Sequence, residues 1–304
     1  MIQNYTGELA ALITAFFWTI TALSFESAGK KVGSLAVNLI RLVLALVFYT
    51  LYLKITRGTF FPLDAGQERW LWLSLSGLVG FVFGDLLLFQ SYVVISARVS
   101  MLVMSLTPPL AAITGWFVLD ESLSLMNWIG MAVTLAGISI VILKREKQSE
   151  NGEKGRRITT AYSWKGILLA FGGAVGQAVG LVLSKKGMGD YNAFGSAQIR
   201  VISGIAGFTV LFFIMNKWGK VAQALKHGFA MKRIALGSVF GPFLGVSFSL
   251  IAIQHTKAGI AATIMAIVPV LIIPPSILLF KEKVNWKEIL GSIVTVGGVA
   301  LFFL

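Results

Sequence analysis

The sequence predicts an all-α integral membrane protein with ten transmembrane helices, arranged as two inverted five-helix repeats around a central cavity. Three observations support this fold class. The chain is 56% hydrophobic and only 13% charged, whereas charged residues make up about 25% of a soluble domain. The apolar residues form ten long runs, each close to the roughly 20 residues that cross a bilayer. The third observation is an internal duplication.

The duplication is visible as two gapless self-alignments. Residues 84–143 align with 245–304 at an offset of 161, and residues 7–41 align with 166–200 at an offset of 159. The chain therefore contains one unit twice, joined by a polar stretch rich in lysine and arginine. The first repeat, the basic linker and the second repeat are residues 1–145, 146–163 and 164–304.

Each repeat holds five apolar runs. Those of the first repeat are 7–26, 35–54, 70–91, 99–119 and 127–143. Those of the second repeat are 164–184, 195–216, 234–253, 259–280 and 288–304. The runs are continuous rather than alternating, which favours helices over barrel strands. Because five is odd, the second copy enters the membrane from the opposite side, and the repeats are inverted about an axis in the membrane plane.

The basic residues flank these runs, although the net charge of +13 would also suit a nucleic-acid-binding protein. Their placement between apolar runs favours the lipid bilayer as partner and argues against nucleic acid. Counting lysines and arginines on each side places the linker in the cytoplasm and both termini outside. Cysteine is absent, and no His pair has metal-ligand spacing, so we expect no metal or cofactor. No nucleophile–base pair is present either, so we do not expect an enzyme.

A second pattern recurs in both copies: a proline, a glutamate after 13 residues, and glycines after 9 and 7 more. Its members are Pro108, Glu121, Gly130 and Gly137 in the first copy, and Pro269, Glu282, Gly291 and Gly298 in the second. Each second span also carries an arginine, Arg41 or Arg200. With these residues the chain resembles the EamA-type drug/metabolite transporters over essentially its whole length.

The resemblance implies a central cavity bounded mainly by helices one, three, four, six, eight and nine. It also implies export or exchange of small metabolites such as amino acids, or of drugs, at the cell membrane. Such transporters are drawn with cytoplasmic termini, which is opposite to the charge count, so the orientation stays open.

Four prolines, Pro108, Pro109, Pro269 and Pro274, are predicted to bend their spans. A helical proline removes an N–H and frees the carbonyl four residues earlier. Freed carbonyls at membrane depth must face protein or a wet cavity. These helices therefore either bend around a central site or carry a static kink satisfied by neighbours.

Asp85 is the strongest single candidate for a functional residue, because it lies inside the third span with no cation nearby in the sequence. An ionised carboxylate in hydrocarbon is costly, so it must face the bundle interior or take up a proton. It is predicted to couple transport to protons or to bind a substrate amine. The alternative is a carboxylate satisfied by backbone groups or by an arginine. Its repeat counterpart is Val246, so this charge breaks the internal symmetry.

Four other charged residues are predicted to be structural: Arg41, Arg200, Glu121 and Glu282. The arginines would serve repeat packing or gating, with Glu26 as a candidate partner for Arg41. The glutamates fall at helix ends, about 20 Å from the prolines at 1.5 Å per residue, where they would pair with loop cations or cap the next helix.

The substrate-binding candidates are polar or aromatic residues within spans: Trp18, Thr21, Asp85, Gln90, Ser105, Gln177 and Ser247. Trp18 and Gln177 are repeat counterparts, which would place an aromatic ring and an amide at equivalent positions of one site. For each candidate, ordinary helix packing is the alternative interpretation.

Together these features predict a secondary transporter, most simply an exporter, that works by alternating access between the two repeats. The expected partners are a small-molecule substrate and, as one option, a proton. We expect a monomer, because a duplicated chain forms its pseudo-symmetric pathway alone. Two alternatives remain: an uncoupled facilitator or channel-like pore for small solutes, and a membrane scaffold subunit that transports nothing.

Overall fold

The computed structural model describes residues 5–119, 124–145, 158–160, 162–255, 261, 264–281 and 284–302. Among these residues the chain is helical apart from one short ribbon. Strand β1 (Leu143–Arg145) pairs antiparallel with β2 (Ile158–Thr160). The sequence did not predict this ribbon, which lies at the two ends of the linker. Glu121 and Glu282 lie outside the described residues.

Among the described residues, seven helices are long and apolar enough to cross a membrane. They correspond to the expected spans one to four and six to eight. The fifth, ninth and tenth expected spans form shorter helices, so the count of ten crossings is not reached by length and composition. The structure is nevertheless that of an all-helical, multi-pass membrane protein.

The helices of the first repeat are α1 (Thr6–Val32), α2 (Ser34–Arg57), α3 (Gln67–Gly77), α4 (Asp85–Ile95), α5 (Ala97–Met104), α6 (Thr107–Leu119) and α7 (Leu125–Ile142). Those of the second are α8 (Trp164–Met188), α9 (Ala193–Met215), α10 (Trp218–Lys226), α11 (Gly228–Ser238), α12 (Val246–His255), α13 (Val268–Leu271), α14 (Ile273–Phe280) and α15 (Trp286–Phe302). Helix α10 occupies the basic segment between the seventh and eighth expected spans.

Two π-helical segments interrupt the third and eighth spans at equivalent positions. Leu78–Gly84 joins α3 to α4, and Val239–Gly245 joins α11 to α12. The two segments are related by the same offset of 161 that relates the repeats. A π-helical turn is wider than an α-helical one and leaves local backbone groups out of register, a feature frequent at functional sites.

The two repeats are interleaved rather than placed side by side. Helix α1 packs against α11 and α12 of the other repeat, and α8 packs against α3 and α4. The contacts occur as equivalent pairs. A Cβ added to Gly84 would lie 3.3 Å from the Gln177 nitrogen, and one added to Gly245 would lie 2.9 Å from the Trp18 ring. Such an exchange of counterparts is the signature of a two-fold relation.

Helices α7 and α15 pack chiefly against each other. Gly137 lies against Thr295, and its counterpart Gly298 lies against Thr134. The glycines of the repeated motif therefore permit close approach of the fifth and tenth spans, as small residues do at membrane helix crossings.

The prolines lie where two spans are interrupted. Helix α5 ends at Met104, and α6 begins at Thr107 with Pro108 and Pro109 in its first turn. Pro269 and Pro274 occupy the first turns of α13 and α14. A proline is well tolerated in the first turn of a helix, because the N–H it lacks would have no partner there. The fourth and ninth spans are thus divided into segments at these positions.

Candidate functional site

A cavity of about 160 Å³ lies between the two repeats. The first repeat contributes residues of α1, α2, the first π-helical segment, α4 and the α5–α6 break to its wall. The second repeat contributes residues of α8, α9, the second π-helical segment and α12, together with Met265 and Pro269 of the ninth span. Most of the wall is apolar or aromatic, with a few polar groups that converge on the space. A cavity of about 150 Å³ holds a molecule of the size of benzene, so this one suits a small solute.

An ion pair between Arg41 and Asp85 forms one side of the cavity. Arg41 Nη2 donates to Asp85 Oδ2 at 2.5 Å, and Gln177 Nε2 donates to Asp85 Oδ1 at 2.6 Å. Asn38 holds both partners, because its Nδ2 donates to the Asp85 carbonyl and its Oδ1 accepts from Arg41 Nε. Arg41 is 3% exposed and Asp85 is 5% exposed. Both carboxylate oxygens of Asp85 therefore have donors within the protein.

The proposed partnership of Arg41 with Glu26 is wrong. Glu26 accepts from Lys30 Nζ at 2.5 Å and from the Ala97 N–H at 3.0 Å. Asp85 has the arginine partner that its alternative interpretation named, because Arg41 reaches it from the preceding span. Two opposite charges that pair inside a bundle lower the free-energy cost of burying each other. The pairing could not be seen in the sequence, because the two residues are 44 positions apart.

Arg200, the repeat counterpart of Arg41, lines the same cavity without an acidic partner. It is 5% exposed, and its Nε has no hydrogen-bond partner. Its guanidinium stacks on the Phe81 ring at 4.9 Å from the centroid. Among the described residues no carboxylate lies within ion-pair distance of it. Val246 occupies the position equivalent to Asp85 and also lines the cavity.

Two hydroxyl groups in the cavity wall also lack partners. Ser105 Oγ and Thr107 Oγ1 are buried and unbonded within the described chain, and both residues lie at the break between α5 and α6. Buried polar atoms are nearly always hydrogen-bonded in proteins, so each exception calls for an explanation. Here the unpaired groups share one cavity with Arg200.

The structure brings together five of the seven predicted substrate-binding residues: Trp18, Thr21, Asp85, Ser105 and Gln177 line the cavity. Gln90 and Ser247 are not part of its wall. Gln90 accepts a hydrogen bond from the Ser34 hydroxyl at 2.6 Å, and Ser247 lies 2.9 Å from the Tyr49 hydroxyl. Arg41 and Arg200, predicted to be structural, are in the wall together with Pro108 and Pro269.

Sequence reasoning missed two tyrosines near the site. Tyr92 lines the cavity. Tyr49 is fully buried, and its hydroxyl lies 2.7 Å from the Pro242 carbonyl and 2.9 Å from the Phe243 carbonyl. These carbonyls belong to the second π-helical segment, so Tyr49 supplies a donor where the helical bonding pattern is disturbed. The signal in the sequence was the phenol itself, a polar group in the middle of an apolar run.

Known proteins resemble this chain over nearly its full length. The solute carrier family 35 member G1 proteins of mouse and human are 25% and 24% identical over 95% and 96% of this chain, and 76% and 77% of their own. A protein crystal structure superposes with a TM-score of 0.61 at 17% identity, covering 97% of this chain and 95% of the other, which shows a shared fold. A model of the EamA-like transporter family matches residues 5–143 and again 164–304. The chain therefore belongs to the EamA-like transporter family.

Proposed function

We propose that this protein is a secondary transporter that exports small metabolites, amino acids above all, across the cell membrane. The observation that carries the proposal is the cavity between the repeats, with Asp85, Arg41 and Arg200 in an otherwise mostly apolar wall. Ionisable residues inside a membrane bundle are expensive, and they mark substrate or ion pathways. The family membership supports a transporter, and we expect it to act as a monomer.

The proposed mechanism is alternating access, in which the two repeats rock about the cavity. In this mechanism the interleaved contacts are the surface along which the repeats move. Gly176 and Gly180 of α8 lie directly against Gly84 and Gly80 of the third span. The interrupted helices α5–α6 and α13–α14 provide breaks at which a helix half can change direction. Flanking π-helical segments give the third and eighth spans a second place to deform.

Proton coupling through Asp85 is part of the proposal. Protonation would cost Asp85 its charge-assisted bond to Arg41, so uptake of a proton and release of Arg41 would occur together. This linked change is the trigger of the proposed mechanism, because the charge-assisted bond to Arg41 exists only while Asp85 is ionised.

An uncoupled facilitator is the second candidate, and one observation favours it. Both Asp85 oxygens already have donors at 2.5 and 2.6 Å. In a facilitator the Arg41–Asp85 pair would be a fixed part of the binding wall.

The two candidates differ in their response to a proton gradient. Purified protein is reconstituted into vesicles with a labelled amino-acid mixture, and flux is measured with and without an imposed gradient. Coupled transport predicts flux that rises with the gradient and loses this dependence in Asp85→Asn. A facilitator predicts saturable flux that ignores the gradient. Absence of flux above protein-free vesicles, for amino acids and for other small metabolites, would favour the scaffold alternative.

A further inference from the structure

The polar groups of the cavity leave one positive charge uncompensated. Arg41 and Asp85 cancel as an ion pair at 2.5 Å. The remaining charged residue in the wall is Arg200, which has no acidic partner among the described residues. Glu26, the acid on the adjacent helix α1, is bonded to Lys30. An unpaired charge in a low-dielectric site is costly, and proteins retain one where function requires it.

The repeat relation shows what is missing at Arg200. In the first repeat the arginine of the second span meets an acid on the third span, Asp85. The corresponding position on the eighth span is Val246, so the second repeat has the arginine without its acid. Val246 and Arg200 line the same cavity. A ligand that brought a carboxylate to Arg200 would supply the anion that the second repeat lacks.

The donors available in the wall suit a carboxylate. Arg200 Nε is buried without an acceptor, and Ser105 and Thr107 carry two hydroxyls without partners. A guanidinium presents donors in a planar fork that matches the two oxygens of a carboxylate. Hydroxyl groups can donate to the same oxygens. The carboxylate of the wall, in contrast, already has donors, since Asp85 is bonded to both Arg41 and Gln177.

We propose that Arg200 binds the carboxylate of the transported solute, and that this protein therefore selects small monocarboxylates. An amino acid qualifies through its α-carboxylate, and its ammonium group is not required. The volume of about 160 Å³ and the aromatic wall, with Trp18, Phe81 and Phe89, favour a single apolar side chain on that solute. This inference rests on the proposed transport function and names its substrate class.

The test uses three solutes on one carbon skeleton. L-Leucine carries a carboxylate and an ammonium group, 4-methylpentanoate carries only the carboxylate, and L-leucinamide carries the amine without a carboxylate. Binding to the purified protein is measured from the rise in unfolding temperature, because a ligand that binds only the folded state stabilises it. We expect the first two solutes to stabilise the wild type and L-leucinamide not to.

Three variants locate the effect. Arg200→Gln should weaken binding of 4-methylpentanoate by about tenfold or more, since it removes the charged donor from the carboxylate. Arg200→Lys keeps the charge and should retain part of the binding. Arg233→Gln is the matched control, because Arg233 lies outside the cavity wall and stacks on Phe229; it should bind as the wild type does.

Several results would overturn the carboxylate assignment: stabilisation by L-leucinamide equal to that by 4-methylpentanoate, no stabilisation by any of the three, or unchanged binding in Arg200→Gln. The vesicle assay distinguishes failure of the carboxylate assignment from failure of the proposed function. Saturable flux of labelled solutes that is unchanged in Arg200→Gln would support transport and refute only the carboxylate assignment. Absence of flux for every solute would remove transport itself.

Discussion

At the scale of single residues, the site is a set of charges that only partly cancel. Arg41, Asp85 and Gln177 form a closed group in which each carboxylate oxygen has a donor. Arg200 lines the same cavity and stacks on Phe81, and no carboxylate lies within ion-pair distance of it among the described residues. The charge of Arg41 is therefore paired, whereas that of Arg200 is available to a bound anion.

The closed group predicts a non-additive pair of substitutions. Asp85→Asn leaves Arg41 buried without its counter-charge, and breaking such a pair costs about 3–5 kcal/mol in proteins. Adding Arg41→Gln removes the stranded charge, so the double variant should unfold at a higher temperature than Asp85→Asn alone. The measurement is thermal unfolding in detergent. Additive losses would show that the two residues do not act as a pair.

Substitution of Arg200, which has no acidic partner among the described residues, should change the unfolding temperature in the opposite direction. Without ligand, Arg200→Gln should raise the unfolding temperature, because it removes an uncompensated buried charge at the expense of one ring contact. Thermal unfolding of the ligand-free protein measures this, with Arg233→Gln as the control for loss of a cation. A clear fall in the unfolding temperature would mean that Arg200 is paired in the native protein.

At the scale of elements, the functional features are the places where helices depart from regularity. The π-helical segments Leu78–Gly84 and Val239–Gly245 and the breaks at Ser105 and Ala266 all contribute residues to the cavity wall. Glycines allow the adjoining helices to meet closely. A Cβ added to Gly176 would lie 2.5 Å from Gly84 Cα, a distance that requires the helix backbones to separate.

That contact gives a prediction at the same scale. Gly176→Ala should lower the free energy of unfolding by about 1–3 kcal/mol, the usual cost of overpacking a tight contact. Gly228→Ala is the matched control, because no atom lies within 4 Å of the added Cβ. Chemical unfolding of both variants in detergent provides the comparison. Equal stability of the two would contradict close packing of α8 against the third span.

The sequence predicted these elements unevenly, for physical reasons. Long apolar runs predicted the class of fold, because hydrophobicity and length are local properties. The two constant offsets, 161 and 159, were sufficient for the duplication. The π-helical segments were missed, since their glycines at 80 and 84, and at 241 and 245, also suit simple close packing. Asp85 is bonded to Arg41, which is 44 positions away, and to Gln177, which is 92 positions away. Neither partner follows from the periodicity of the sequence.

At the scale of the whole molecule, the two repeats depend on each other. Helix α1 packs on the second repeat and α8 packs on the first. Tyr49 of α2 is bonded to carbonyls of the second π-helical segment. Neither repeat buries its interior alone, so the cavity exists only where both are present.

This interdependence predicts that the linker is not needed to hold the halves together. A protease site inserted between residues 146 and 157 and then cut should leave two fragments that still migrate as one particle. Size-exclusion chromatography in detergent, with denatured electrophoresis to confirm cutting, measures this. Separation of the fragments under native conditions would contradict the interleaved packing.

The central claim is that solutes pass through the cavity between the repeats. The most direct measurement compares solute flux in vesicles for the wild type, Ser105→Trp and Ser139→Trp, with folding checked by size-exclusion chromatography. Ser105 lines the cavity, so an indole there fills much of the space, whereas Ser139 is exposed on α7. We predict saturable flux of a labelled monocarboxylate by the wild type and Ser139→Trp, and none by a folded Ser105→Trp. Undiminished flux with the cavity filled would show that solutes take another route.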